Sequence, residues 1–70
     1  MIILKCKTPT KTLTRLKEYE CNLIKFPEGS FLNRYYAIWL SDNELASATH
    51  AECVNDDGVR RIYSIKNFDV

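Results

Sequence analysis

A chain of 70 residues, 46% hydrophobic, 27% charged and 11% aromatic, has the make-up of one globular domain and excludes disorder driven by composition. A domain this small buries only about 60% of the surface its unfolded chain exposes, which argues against a deep preformed substrate cleft. The net charge of +1 and isoelectric point near 7.7 lie far below the basic values of dedicated nucleic-acid-binding domains.

No stretch approaches the roughly 18 apolar residues of a membrane span, and Met1 to Leu4 meets Lys5 and Lys7 where a leader would continue apolar, so neither membrane insertion nor secretion is expected. Cys6, Cys21 and Cys53 are odd in number and widely spaced, which disfavours a disulfide framework and points to a reducing cytoplasm. Charge is uneven: residues 1–25 carry six basic against two acidic side chains, and residues 26–70 carry four against seven.

In chain order, Ile2, Leu4 and Cys6 alternate with Lys5 and Lys7 as a half-buried strand requires. Residues 8–17 form a polar loop interrupted by Pro9, with Leu13 and Leu16 as candidate anchors. Alternation resumes from Glu18 to Ile24, with Tyr19, Cys21 and Leu23 on one face and Glu20 and Asn22 on the other. Phe26-Pro27-Glu28-Gly29-Ser30 reads as a turn. Tyr35 to Leu40 is uninterruptedly apolar and fits both strand and buried-helix templates; its β-branched and aromatic content favours a strand. Ser41 and Glu44 have capping-box spacing, which predicts either a short helix through Ala48 or a wide hairpin loop. His50 to Asn55 and Val59 to Tyr63 then flank Asp56-Asp57-Gly58 as a hairpin, since Gly58 tolerates the positive φ of a tight turn. A single helical turn over Ser64 to Asn67 and a last short strand, Phe68 to Val70, complete an all-β domain: a small five-stranded barrel with at most one short helix.

Leu13-Thr14, Lys17, Tyr19-Glu20, the Asn55-Asp56-Asp57-Gly58 turn, and Tyr63 followed by Phe68 occur here in the order seen in the short SH3-like barrels of bacteriophages and prophages, which the chain resembles over its first 24 and last 20 residues. Where those proteins usually have Gly before the Lys, this chain has Leu16, and residues 26–49 exceed their usual connection. The resemblance implies an SH3-like barrel, a bacterial host cytoplasm, and a non-enzymatic accessory protein that binds a host macromolecule and modulates or inhibits it. It implies no catalytic residue and no cofactor.

Cys6, Cys21, His50 and Cys53 carry the donors of a tetrahedral zinc site, but only His50 and Cys53 are close in sequence, and the cysteines are in phase with apolar strand faces, so core packing is favoured. Asp56 and Asp57 read as turn residues instead of paired acid-base carboxylates. Ser41, Ser47 and Ser64 lack a nucleophile elbow, and Gly29 and Gly58 lack a phosphate-binding loop. Tyr35 to Leu40 carries more apolar surface than one core face can absorb, so Phe31, Arg34, Tyr35, Tyr36 and Trp39 are the candidate partner-binding residues, for a host protein or a second copy of the chain. The alternative is weak nucleic-acid binding through Lys5, Lys7, Lys11, Arg15 and Lys17 beside Tyr35, Tyr36 or Trp39.

Overall fold

The alternating runs of the sequence become strands. A computed structural model, which describes residues 1–28 and 33–70, shows a curled antiparallel sheet of six strands forming a half-barrel. The strands are β1 (Ile2–Cys6), β2 (Glu18–Lys25), β3 (Ile38–Leu40), β4 (His50–Val54), β5 (Arg60–Ser64) and β6 (Phe68–Asp69). Their order is β5-β4-β2-β1-β6, and β3 also pairs with β2. β2 is the hub: β1 pairs with Glu18 to Cys21, β3 with Leu23 to Lys25, and β4 with Cys21 to Ile24. A five-stranded barrel was expected; the sheet has six strands, with β3 lying beside the far half of β2.

Alternation decides what faces inward. Leu4, Cys6, Tyr19, Cys21, Leu23, Ala51, Cys53 and Phe68 project into the half-barrel and form the core, joined by Leu13 from the 8–17 loop. Each fully buried Leu or Phe contributes about 1.5–3 kcal/mol, which for a domain this small is a large share of its stability. Leu16, the other expected anchor, is exposed; its φ of +69° places it in the left-handed region that glycine favours.

The Asp-Asp-Gly turn closes the β4–β5 hairpin. The Gly58 N–H donates to the Asn55 carbonyl at 3.0 Å, and Gly58 takes φ +77°. The Asn55 side-chain oxygen accepts from the N–H groups of Asp57 and Val59 at 2.9 and 3.1 Å. Asp56 then ties the turn to the polar loop. Its carboxylate accepts from the Thr14 hydroxyl at 2.7 Å, the Lys17 ammonium at 2.8 Å and the Tyr19 hydroxyl at 2.7 Å. These three donors, Lys17 foremost, hold the Asp56 carboxyl at about 2. Asp56 is therefore a structural clasp.

One expectation is corrected. Tyr35, Tyr36 and Ala37 are not strand: residues Arg34–Tyr36 form a 3-10 turn, and of the run only Ile38–Leu40 is paired as a strand. The Asn33 side-chain oxygen accepts from the Tyr35 N–H at 3.0 Å and its carbonyl from the Tyr36 N–H at 2.9 Å, which turns the chain before the aromatic run can pair. The Ser41–Glu44 signal does start a helical segment, again 3-10, over Asp42–Ser47, with the Glu44 carboxylate accepting from the Ser41 N–H at 3.0 Å. Among the described residues, no helix is long and apolar enough to cross a membrane.

Candidate protein-binding surface

The outer face of the sheet carries the candidate site. Register places Trp39 opposite Ile24 and Ile24 opposite His50, while Asn22 faces Glu52 and Glu52 faces Ile62, all on the face away from the core. A face of this kind should be polar and wet, yet Ile24, Phe26 and Glu52 are buried on it. Phe26 meets the His50 ring edge-to-face at 4.9 Å, and burial lowers the His50 pKa.

Glu52 is the electrostatic centre of this face. Its side chain is only 4% exposed, and a carboxylate so placed must be paired. Arg34 Nη2 donates to Glu52 Oε2 at 2.9 Å, and Arg60 Nη1 lies 3.6 Å from Oε1. Arg34 reaches it from the 3-10 turn and Arg60 from β5, so the ion pairs tie the aromatic segment to the hairpin. Arg34, Arg60, Arg61 and Ile62 line a shallow depression of about 290 Å³. Two guanidinium groups, those of Arg34 and Arg60, meet the one carboxylate, whereas Arg61, in register with Cys53, starts from the other face of β5 and has no ion-pair partner among the described residues.

Beside that depression the chain exposes its aromatics. Tyr35 is 87% exposed and Trp39 52%, with Tyr36 and Ile38 also exposed; of the run, Leu40 alone packs partly against the core. The Tyr35 and Tyr36 rings meet edge-to-face at 5.1 Å, so they support each other without the core. Of the candidate residues, Arg34, Tyr35, Tyr36 and Trp39 thus lie along one short segment, with Arg34 engaged by Glu52; Phe31 lies outside the described residues. Sequence reasoning missed Glu52 and Arg60. The available signal was alternation itself, which puts a lone Glu between Ala51 and Cys53 on a strand whose other outward residues are His50 and Val54.

The remaining candidates separate. Cys6, Cys21 and Cys53 are buried free thiols in the core, whereas His50 is on the opposite face of β4 from Cys53, so the four do not converge. Among the described residues no group of three or more His, Cys, Asp or Glu side chains is arranged to hold a metal ion. Of the N-terminal basic residues, Lys17 is committed to Asp56, and Lys5 is in register with Glu18 and Asp69. A second concavity, apolar and about 550 Å³, lies between Leu45, Ala46, Ala48, Ile65 and Val70. No family model, no curated protein and no solved structure matches the chain.

Proposed function

We propose that this protein is a small non-enzymatic binding module of the phage accessory type, which docks on a host protein through Tyr35, Tyr36, Ile38 and Trp39 and thereby modulates or inhibits it. The observation that carries this reading is the exposure of four large apolar side chains within five residues, three of them aromatic. Single exposed apolar residues are ordinary, but a contiguous run with Tyr and Trp has the composition of a binding hot spot. The arginines beside it supply a cationic rim, so the matching partner surface carries carboxylates around an apolar centre.

The test is capture of partners from bacterial lysate by the native chain, by Tyr35→Ala and by Trp39→Ala, with unfolding measured in parallel. Either substitution should weaken capture at least about tenfold, as loss of a hot-spot aromatic does, while the fold persists. Undiminished capture by both variants would refute the proposal. Self-association, the other use of such a surface, would show as a concentration-dependent sedimentation coefficient lost in Trp39→Ala.

A second reading, weak nucleic-acid binding, rests on Lys7, Lys11 and Arg15, which are exposed and without ion-pair partners among the described residues. It requires affinity for single-stranded DNA or RNA that falls steeply with salt. No binding at low salt removes it.

A further inference from the structure

The pairing of the core cysteines carries an inference independent of the binding surface. Cys21 on β2 and Cys53 on β4 are direct register partners, both fully buried and both facing the core. The hydrogen-bonding phase of the sheet fixes which kind of pair they make. On the β4–β5 ladder, the Asn55 N–H donates to the Val59 carbonyl and the Ile65 N–H to the Thr49 carbonyl. Counting along the unbroken register between them, Cys53 bonds to Arg61, so its N–H and C=O point toward β5 and away from β2. On the β1–β2 ladder, the Cys6 N–H donates to the Lys17 carbonyl, which by the same count turns the Cys21 backbone toward Ile2 and away from β4.

Both ladders therefore make Cys21 and Cys53 a non-hydrogen-bonded pair, the kind in which opposite Cα atoms of antiparallel strands stand about 4.5 Å apart and side chains are closest. That separation lies within the span of about 4.4–6.8 Å that a disulfide bridges. Cys6 is excluded as a partner of Cys21: the residue opposite Cys21 on β1 is Ile2, and Cys6 is four positions along, about 13 Å away. The thiols are also unlike each other, since the Cys21 thiol beside Cys53, with Arg60 nearby, lowers the Cys53 pKa despite burial.

We infer that Cys21 and Cys53 form an oxidisable dithiol, a cross-strand disulfide site whose reactant is a small peroxide. The Cys53 thiolate attacks one oxygen of hydrogen peroxide; an S–O bond forms, the O–O bond breaks, and the departing hydroxide takes up a proton to leave as water. The Cys21 sulfur then attacks the sulfenic sulfur, the S–S bond forms as the S–O bond breaks, and the second oxygen leaves as water with the Cys21 proton. Two thiols lose two electrons to the peroxide, and the balance closes with two waters. Because neither sulfur is exposed, the rate is set by local opening at the β5 edge. The segment that the cross-link would close, residues 22–52, contains the whole aromatic surface.

The experiment is peroxide treatment of the folded chain, in buffer and in urea below the unfolding transition, followed by peptide mapping. The expected product has lost two hydrogens and joins the Cys21 and Cys53 peptides. It should form in Cys6→Ala, and in Cys21→Ala it should give way to a Cys53 sulfenic acid that dimedone traps. The oxidised chain should unfold at higher urea than the reduced chain, and a reductant should abolish the difference. A bridge involving Cys6, no bridge under either condition, or a lower urea midpoint after oxidation would each overturn the inference.

Discussion

Leu16 and Gly58 hold similar backbone conformations, with φ of +69° and +77°, and substitution should move stability in opposite directions at the two sites. A side chain in this region costs about 1–2 kcal/mol, and glycine gives back about 0.5–1 through its freer unfolded state. Leu16→Gly should therefore raise stability by about 0.5–1 kcal/mol, a gain helped by Leu16 being exposed. At Gly58 no atom lies within 4 Å of a Cβ placed there, so Gly58→Ala meets no clash and should cost a similar amount through the backbone alone. Shifts of the urea midpoint at constant m-value check both.

Asp56 sets an acid limit. Its folded pKa of about 2 is below the ordinary Asp value, so its contribution is complete above about pH 4 and fades as pH falls toward 2. His50 acts in the same direction at higher pH: burial disfavours its charged form, so stability present above about 6.5 declines as pH drops below that value. Asp56→Asn should flatten the stability profile between pH 4 and 2, and His50→Gln should flatten it just below 6.5, as read from thermal midpoints across pH.

At the scale of elements, the link between the aromatic turn and the sheet rests on a polar pair. Arg34→Ala leaves the buried Glu52 with Arg60 at 3.6 Å as its remaining ion-pair partner among the described residues, a loss expected to cost about 1–3 kcal/mol. Trp39→Ala should cost less, because half of that side chain is already in water. Arg34→Ala should thus lower the thermal midpoint and Trp39→Ala should lower partner capture; the reverse pattern would exchange their roles.

Elements also show what the sequence could reveal. The strand from Glu18 to Ile24 and the Asp-Asp-Gly hairpin were legible because period-two alternation and a positive-φ glycine are local signals. Tyr35 to Ala37 was not: its composition favours a strand, and the deciding group is the Asn33 side chain two residues upstream. Arg60 was hidden for a different reason. Its significance depends on β5 lying beside Glu52, a relation that no spacing along the chain expresses.

At the scale of the molecule, the margin is narrow. Phe68 is fully buried, stacks edge-to-face near Tyr19 at 6.4 Å, and pairs β6 to β1 opposite Cys6. Phe68→Ala should cost about 3–5 kcal/mol, against a total stability of roughly 4–10 kcal/mol for a chain of this length. Circular dichroism should find the thermal midpoint of that variant lowered by at least about 12 °C.

The half-barrel also has an order in time. The β4–β5 ladder joins residues close along the chain and can zip from its turn, whereas the Lys5–Asp69 pair joins opposite ends of the described fold. Contacts between distant segments come at the entropy of closing a long loop, which slows the chains that depend on them to milliseconds or seconds. The hairpin should be protected from hydrogen exchange early in refolding and β1 late, so the seam between β1 and β6 acts as the clock of this protein.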